Sequence, residues 1–307
     1  MIKTIFLIAG PTASGKSQFA VDLAKKINGV AINSDSMQVY KNLEILTARP
    51  TTKEMQNIDH HLYGYVDGKE RYNVEKWCND AAKIIHENLE RNLNPILVGG
   101  TGLYIDTLVN GLIDIPSISE SIKIESEKIL NKFGKDFLIN QIKNFDPESF
   151  KEINSNDTLR LRRIWEIYES TGKKYSEWKL HKNKKFINNY NLKIFLFLPD
   201  RKKNYERVEK RFINMIKKGA IPEVEKLLKL NLDNSLPIMR AHGVPEISLF
   251  LQKKINLDEC IAKAQQVTRN YVKRQHTWWN SSNIRIQQKI TEFPDQYDPN
   301  SLNFNQI

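Results

Sequence analysis

The chain contains 307 residues, 40% of them hydrophobic, which is enough to bury a sizeable core and excludes a wholly disordered protein. Its 47 lysines and arginines outnumber its 36 aspartates and glutamates, and the net charge of +11 favours a polyanionic partner such as nucleic acid. A compositional bias toward lysine and asparagine would produce the same charge, so charge alone does not identify the partner.

Neither a membrane segment nor a disulfide framework is predicted. No run approaches the roughly 18 consecutive apolar residues that a transmembrane helix needs. The apolar start at residues 4–9 leads into a glycine-containing loop instead of a signal-peptide cleavage site. Cys78 and Cys260 share no metal-ligand spacing and are expected to be packing residues. We therefore expect a cytoplasmic protein without membrane contact.

Strands alternate with helices in the first third of the chain. Residues 5–9 are typical of a buried strand, an apolar face beginning at Phe19 indicates the following helix, and residues 30–35 form a second strand. A helix over residues 74–93 leads to a third strand, 95–98, that runs into glycines. This alternation predicts a parallel sheet in an α/β fold.

The middle of the chain shows helical periodicity and no strand pattern. Because a fourth apolar run comes only at residues 192–200, we interpret residues 113–190 as a helical insertion domain. The expected fold is a P-loop NTPase-like parallel-sheet core, flanked by helices, that carries this insertion. The core would comprise residues 1–112 and 191–280, with helices at 201–218, 222–230 and 257–279, and the polar residues 281–307 would form a peripheral tail.

The stretch GPTASGKS satisfies the pattern G-x-x-x-x-G-K-[ST] between the first strand and the first helix. In such a loop, backbone N–H groups and the positive end of the helix surround a phosphate group. Lys16 would add a point charge and Ser17 would ligate Mg²⁺. The predicted site comprises Gly10, Pro11, Thr12, Ala13, Ser14, Gly15, Lys16 and Ser17. The motif leaves open whether the phosphate belongs to a nucleotide or to another pyrophosphate compound.

Two aspartates follow predicted strands. Asp200 follows the fourth strand, where a phosphoryl-transfer enzyme holds its metal, but Pro199 redirects the chain and favours a plain turn. Asp35 closes the second strand and is expected beside the phosphate loop at the edge of the sheet. It would assist a substrate rather than the metal.

Seven stretches carry motifs in sequence order. They are GPTASGKS (10–17), INSDSMQVYKNLEILTARP (32–50), DHHLYGYVD (59–67), PILVGGTGLYIDTLVNGL (95–112), NDTLRLRRIWEIYESTGKKYSEW (156–178), RVEKRFINMIKKGAIPEVEKL (207–227) and TRNYVKRQHTWW (268–279). Together they resemble the bacterial tRNA dimethylallyltransferase family, also called tRNA isopentenyltransferases. The match is collinear over residues 1–280 and far more specific than a single motif.

The resemblance implies a reaction and a general base. A dimethylallyl group would pass from dimethylallyl diphosphate to N6 of the adenosine on the 3′ side of the anticodon, in tRNAs that read codons beginning with U. Because the N6 lone pair is delocalised into the ring, a proton acceptor is useful, and Asp35 matches the family's base. A capping or metal-shell carboxylate is the alternative for Asp35.

No coiled-coil pattern stands out, which favours a monomer.

The resemblance also implies how the leaving diphosphate is stabilised. Lys16, a Mg²⁺ on Ser17 and an arginine would meet its charge. Arg207 and Arg211 share one helix face, and either could supply the arginine, with Arg211 as the first candidate. A solvated basic face is the alternative for both. Thr101 would contact the reacting nucleotide, or else cap the next helix.

An adenine stacked in the anticodon stem-loop must be extruded before it can react, so the resemblance implies a tRNA-binding surface. Its predicted members are Asp35, Ser36, Met37, Gln38, Thr101, Lys123, Leu159, Arg160, Leu161, Arg162, Arg163, Lys273, Arg274, Gln275 and His276. Trp278 and Trp279 are expected in the core more than as base platforms. The stretch AHGVPE (241–246) departs from the family's IGYR or VGYR, which affects only the tRNA contacts expected of that loop, because the donor-site and Asp35 motifs are intact.

Two other functions fit parts of the pattern. An ATP-dependent small-molecule kinase would use the same phosphate loop, but the metal-holding acid is missing. An RNA-binding protein with a degenerate nucleotide site is opposed by the intact Lys16, Ser17 and Asp35.

Overall fold

The structure is a computed structural model that describes residues 3–293. Its strands run as one parallel sheet. They are β1 (Thr4–Ala9), β2 (Gly29–Asn33), β3 (His60–His61), β4 (Asn94–Gly99), β5 (Asn191–Phe197) and β6 (Gln288–Ile290). The spatial order is β3-β2-β4-β1-β5-β6, and every neighbouring pair is parallel. The predicted parallel α/β core is therefore confirmed.

Helices cover the sheet and form the insertion. They are α1 (Lys16–Ile27), α2 (Thr52–Met55), α3 (Val74–Glu90), α4 (Gly102–Asn110), α5 (Glu120–Phe145), α6 (Pro147–Glu152), α7 (Thr158–Thr171), α8 (Tyr175–Trp178), α9 (Arg201–Lys217), α10 (Ala220–Leu228), α11 (Val244–Leu251) and α12 (Leu257–Ser281). The long helices begin within a few residues of the predicted positions, because their apolar periodicity is strong.

The central strands are buried on both faces, as a parallel sheet covered by helices requires. Ile5 and Leu7 of β1 face a core that includes Trp77 of α3, while Phe6 and Ile8 face a second core with Phe19 of α1. The alternation assigns successive β1 side chains to opposite faces of the sheet. Both cores anchor β1, and with it the loop that follows.

The chain divides into two compact units. One comprises residues up to Val109 and those from Phe186 onward, and the other comprises Asn110–Lys185. The sequence predicts an insertion over residues 113–190, so the two sets of limits differ by three and five residues. The difference arises because Leu112 pairs with Lys184 in an antiparallel bridge within the smaller unit.

The smaller unit is helical and has its own apolar core. Leu138 and Ile142 of α5 pack with Leu161, Ile164 and Trp165 of α7. Helix α5 breaks at Gly134, where the backbone leaves helical geometry. Helices α5, α6 and α7 therefore pack around one apolar core.

Two short edge strands were not predicted. Strand β3 has only two residues and β6 only three, too few to show an alternating pattern. The sequence predicts a peripheral tail over residues 281–307, and the described part of that segment contains the edge strand β6. Strand β6 pairs with β5, and Phe293 is buried, because the otherwise open edge of β5 offers unpaired backbone groups. Residues 294–307 of that predicted tail lie outside the described residues.

Within residues 3–293, no helix combines the length and hydropathy needed to cross a bilayer. Cys78 and Cys260 are both free thiols with fully buried side chains. They act as packing residues, as the sequence predicts.

Candidate active site

The functional side chains gather at the carboxyl ends of the parallel strands, where ligands bind in open α/β sheets. The phosphate loop follows β1, Asp35 follows β2, and Thr101 follows β4. Helix α9, which carries Arg207 and Arg211, begins four residues after the end of β5. Four consecutive members of one sheet therefore supply one site.

The phosphate loop has the geometry that its glycines permit. Gly15 adopts a left-handed conformation, with φ of 93°, at the start of α1. Lys16 is buried, and its Nζ donates hydrogen bonds to Pro11 O at 2.5 Å and Ser14 Oγ at 3.3 Å. Burial lowers the pKa of Lys16 to about 7, Asp35 opposes this effect, and Arg211 adds to it. The lysine is thus held beside the loop in a setting that disfavours its charge until an anion arrives.

Asp35 is held in place by its neighbours. The buried side chain of Asn33 accepts a hydrogen bond from Asp35 N at 2.9 Å and donates to Asp35 O at 3.0 Å. Asp35 Oδ1 accepts from Met37 N at 2.8 Å and Gln38 N at 3.3 Å. Among the described residues, nothing bonds Oδ2 of Asp35. One carboxylate oxygen is therefore fixed and the other is available to a substrate.

Arg211 contacts the phosphate loop directly. Its Nη2 donates to Thr12 Oγ1 at 2.5 Å. Burial lowers the pKa of Arg211 to about 10, and Asp35 partly offsets the effect, so the guanidinium stays charged at neutral pH. Arg207 lies one turn earlier on α9, and its guanidinium stacks 4.3 Å from the centre of the Phe293 ring. Both arginines reach the site, but only Arg211 bonds the loop residue Thr12.

Thr101 follows strand β4 and is hydrogen-bonded to the turn that follows strand β2. Its Oγ1 accepts a hydrogen bond from Ser36 N at 3.0 Å, next to Asp35. Tyr271 lines the apolar cavity nearby, where burial raises its pKa and Asp35 raises it further. Thr101 therefore fixes the Asp35 turn, which the sequence did not predict. Tyr271 is a site residue that sequence reasoning missed.

Two cavities meet at Asp35, Thr12 and Arg211. The larger one, about 680 Å³, is polar and is lined by the phosphate loop and the basic side chains Lys16, Arg207, Lys210 and Arg211. The smaller one, about 180 Å³, is mainly apolar and is lined by Met37, Leu46, Val208, Phe212, Met215 and Ala241, with Tyr271 and His242. A ligand with a charged part and an uncharged part fits this pair of cavities.

The divergent loop 241–246 lies at the smaller cavity. His242 lines it and packs against Tyr271, with tilted rings whose centres are 4.8 Å apart. Burial lowers the pKa of His242, the nearby Arg274 lowers it further, and Asp35 raises it. The sequence-based view that this departure concerns tRNA contacts alone is therefore too narrow, since the loop also lines the cavity beside Asp35.

Near its C-terminal end, helix α12 carries exposed side chains on one face and buried side chains on the other. Lys273 and Arg274 are exposed and line an open groove with Trp278. Gln275 and His276 are buried, 5% and 8% exposed, which corrects their prediction as tRNA contacts. Gln275 Oε1 accepts from Thr12 N at 2.9 Å, and its Nε2 donates to Gly100 O at 2.8 Å. A helical turn of 3.6 residues forces this division, because the inner face of α12 packs on the core.

The tryptophans of α12 contribute to packing. Trp279 is 2% exposed, and Trp278 packs against the same core and meets Trp279 edge to face at 4.6 Å. A side chain at Gly102 would overlap the Trp278 ring, with the nearest ring atom 2.4 Å from an added Cβ. The expectation of core tryptophans agrees with this packing.

In the helical unit, fewer of the predicted tRNA-binding residues are exposed than the sequence motif suggests. Leu159, Arg160 and Arg163 are exposed, and Lys123 pairs with Glu120 at 3.0 Å. Leu161 is fully buried in the unit's core, so packing excludes it from ligand contact. Arg162 turns inward and donates to Ser126 Oγ at 3.1 and 3.0 Å and to Lys123 O at 3.2 Å. Arg162 is therefore a structural residue.

Gln38 also has an internal role. Its Nε2 donates to Thr47 O at 2.9 Å and Ala48 O at 3.0 Å, which secures the loop that borders both cavities. Ser36 and Met37 are half-buried, and Met37 lines the apolar cavity. The side chains after Asp35 thus shape the site.

The residues present fit a Mg²⁺ ion that arrives with a phosphate ligand. Residues 3–293 contain no group of three or more His, Cys, Asp or Glu side chains placed to hold a metal. Ser17 is exposed in the polar cavity, at the start of α1. Mg²⁺ commonly takes one or two protein oxygens and completes its shell with waters and substrate phosphates. Asp200 instead caps α9, where its side chain accepts from Lys203 N at 3.0 Å.

The parallel sheet, the glycine-containing loop after β1 and the basic cavity above it define a P-loop protein with a phosphate site beside an apolar pocket. The IPP transferase family profile matches residues 38–282, and an isopentenyl transferase profile matches residues 3–68. The chain belongs to the IPP transferase family.

Relatives match nearly the whole chain. A tRNA dimethylallyltransferase of Wolbachia sp. subsp. Drosophila simulans is 41% identical over 280 residues, covering 91% of this chain and 94% of the relative. A tRNA dimethylallyltransferase of Hyphomonas neptunium is 39% identical, covering 89% and 86%. The resemblance to this family is therefore confirmed.

Solved structures match as well. A eukaryotic dimethylallyltransferase acting on tRNA is 32% identical with a TM-score of 0.76, covering 90% of this chain and 69% of that one. The tRNA isopentenylpyrophosphate transferase of Bacillus halodurans is 30% identical with a TM-score of 0.67, covering 99% and 92%.

Proposed function

We propose that the protein is a tRNA dimethylallyltransferase. It transfers the dimethylallyl group of dimethylallyl diphosphate to N6 of the adenosine on the 3′ side of the anticodon in tRNAs that read codons beginning with U. The observation that carries the proposal is the meeting of a polar and an apolar cavity at Asp35 and Arg211. The activity named for the relatives supports the same conclusion.

The donor divides between the two cavities according to polarity. Its diphosphate lies in the polar cavity, against the loop N–H groups, Lys16 and Arg211. Its uncharged five-carbon chain and the purine meet in the apolar cavity. This arrangement brings the allylic carbon next to Asp35, which borders both spaces.

The reaction forms one C–N bond and breaks one C–O bond. N6 of adenine attacks the allylic carbon, and the electron pair of the C–O bond leaves with the diphosphate. Lys16 and Arg211 stabilise the charge that develops on the leaving oxygen. Oδ2 of Asp35 takes the proton that N6 gives up, while Met37 N and Gln38 N hold Oδ1.

Mg²⁺ is the proposed cofactor, held on the protein side by Ser17 in the polar cavity. When bound, it supplies positive charge to the diphosphate oxygens. Ser17 lies at the N-terminus of α1, so the ion and the partial positive charge of the helix act on the same anion.

The tRNA is bound through exposed basic side chains of both units. On α12, Lys273 and Arg274 contact the tRNA. In the helical unit, the contacts are Arg160 and Arg163 of α7, together with Lys123 and Leu159. Such residues contact phosphates and give salt-dependent binding. The enzyme works as a cytoplasmic monomer.

Purified protein tests the proposal directly. Dimethylallyl diphosphate, Mg²⁺ and unmodified tRNA should yield N6-dimethylallyladenosine, detected by mass analysis of the tRNA nucleosides. Cells that lack the gene should lose the same nucleoside. Release of phosphate from ATP without prenylated adenosine would instead support a kinase, the function that the phosphate loop alone would also allow.

A further inference from the structure

Gln275 is a buried residue that lines the polar cavity, and its carboxamide has no chemical step in the proposed reaction. It accepts from Thr12 N at 2.9 Å and donates to Gly100 O at 2.8 Å, and only 5% of the residue is exposed. Thr12 belongs to the phosphate loop after β1, and Gly100 belongs to the loop after β4. One side chain from α12 therefore ties two strand-end loops together.

The space around this carboxamide is shaped for it. A Cβ at Gly100 would lie 2.4 Å from Gln275 Nε2 and 2.5 Å from Gly10 O, so any side chain there would displace the amide or the phosphate loop. Real Cβ contacts are longer than this, and backbone atoms of a packed strand end yield little. The glycine thus lets the carboxamide approach both loops.

The two bonds complete a continuous set of contacts across the site. On the donor side, Thr12 Oγ1 accepts from Arg211 at 2.5 Å. On the acceptor side, Thr101, the residue after Gly100, accepts from Ser36 N at 3.0 Å, and Asp35 precedes Ser36. Gln275 joins the diphosphate contacts to the proposed base.

We propose that Gln275 is a positioning residue that sets the donor loop and the acceptor loop at their reactive separation. The inference rests on the proposed prenyl transfer and goes beyond it, because it assigns to a residue of the basic α12 motif a role in alignment instead of tRNA contact. A small misplacement of two reacting groups lowers a rate steeply, even where binding survives. The loss should therefore appear in the transfer step.

The first test replaces Gln275 with Met, which keeps the length and removes both hydrogen bonds. In single-turnover assays with saturating donor and tRNA, the transfer rate of Gln275→Met should fall about tenfold or more. The dissociation constant for tRNA should stay within about threefold, and that for dimethylallyl diphosphate should change less than the transfer rate, because Gln275 lines the polar cavity but its carboxamide is bonded to Thr12 N and Gly100 O. Gln266→Met is the matched control, because Gln266 is exposed on the same helix, and it should react at the wild-type rate.

A second variant separates alignment from packing. In Gln275→Glu, one carboxyl oxygen still accepts from Thr12 N, but the ionised acid repels Gly100 O, whereas the protonated acid donates to it. A buried carboxyl group has a raised pKa, so the proton returns as pH falls. The transfer rate of the variant, divided by the wild-type rate at each pH, should rise toward lower pH.

The outcomes are distinct. An inactive wild-type protein would refute the proposed function itself. Given an active wild type, a normal rate for Gln275→Met, or a loss confined to tRNA affinity, would overturn the positioning role. If Gln275→Met does not fold, as judged by circular dichroism, the Gln275→Glu ratio decides, and a ratio that is flat with pH would overturn it.

Discussion

Asp35 has an asymmetric carboxylate, with Oδ1 bonded to two backbone N–H groups and Oδ2 left for a substrate. Asp35→Asn keeps an oxygen for Met37 N and removes the proton acceptor. We expect single-turnover transfer to fall by about 10²-fold or more, with tRNA affinity unchanged in filter-binding assays. Asp22→Asn on α1, where the Asp22 side chain accepts a hydrogen bond from Gln18, is the control and should stay active. Undiminished transfer by Asp35→Asn would remove the assignment.

The lowered pKa of Lys16 predicts that the binding of diphosphate is coupled to the uptake of a proton. Burial, chiefly, lowers the pKa of Lys16 from 10.5 to about 7 in the free protein, so most of the population is neutral at pH 8. A bound diphosphate favours the charged form, and binding at pH 8 should take up close to one more proton than in Lys16→Met. Calorimetric titration of inorganic diphosphate in buffers of different ionisation enthalpy measures this difference. Equal proton uptake by the two proteins would contradict it.

The same shift has a consequence for stability. Since the folded-state pKa is below the unfolded value, the unfolded chain binds more protons between about pH 7 and 10.5. The contribution of Lys16 is therefore unfavourable at and below pH 7 and disappears as pH rises to 10.5. Bound diphosphate should diminish that penalty.

Helix α10 holds the loop that borders both cavities. The carboxylate of Glu223 accepts from Glu44 N, Ile45 N and Leu46 N at 2.7, 2.8 and 3.0 Å. Glu223→Ala leaves these donors without their acceptor, so we expect a loss of about 1–3 kcal/mol in the free energy of unfolding. Urea denaturation measures it, and the donor KM should rise because Leu46 lines the apolar cavity.

Glu225→Ala on the same helix is the control for Glu223. Its carboxylate pairs with Lys229 at the surface, at 3.0 Å, and such exposed pairs contribute about 0–1 kcal/mol. A Glu225 variant as destabilised as the Glu223 variant would show that helix α10 itself, and not the loop anchor, is being weakened.

Helix α7 presents Arg160 and Arg163 outward and Arg162 inward. Replacing Arg160 and Arg163 by Gln should weaken tRNA binding and reduce the slope of log affinity against log salt by about 1–2, because two phosphate contacts are lost. Fluorescence anisotropy at several salt concentrations tests this, with donor affinity expected to be unchanged. Arg162→Gln should lower the melting temperature and leave the slope intact. An unchanged slope in the double variant would exclude these arginines from the tRNA surface.

At the scale of the whole molecule, the sequence predicts those core elements that have a long hydrophobic pattern or a specific motif. Strands β1, β4 and β5 are continuous apolar runs, and α1, α3 and α12 repeat apolar residues over several turns. The phosphate loop and Asp35 lie where the sequence predicts. Edge strands β3 and β6 were missed because two or three residues carry no periodic signal, and tertiary pairing alone creates them.

Within the site, residue type misled the prediction more than position did. Gln275 follows Lys273 and Arg274 and shares their polarity, which suggested a tRNA contact. Its spacing from Thr268 and Val272, seven and three residues earlier, places it on the buried face of α12. That periodicity was visible in the sequence and would have separated the inner residues from the outer ones. Tyr271 and His242 carry no comparable signal, because only the fold brings them to Asp35.

The junction of the polar and the apolar cavity can be used in the design of inhibitors. A compound that links a purine to a non-hydrolysable diphosphate mimic would occupy both spaces simultaneously, passing Asp35 and Arg211 at the junction. Its second half would bind at a high effective concentration once the first half is seated. ATP analogues carry their phosphates on the ribose and not on a chain from the amino nitrogen of the purine, so a bisubstrate compound linked through that nitrogen should select this enzyme over ordinary P-loop kinases.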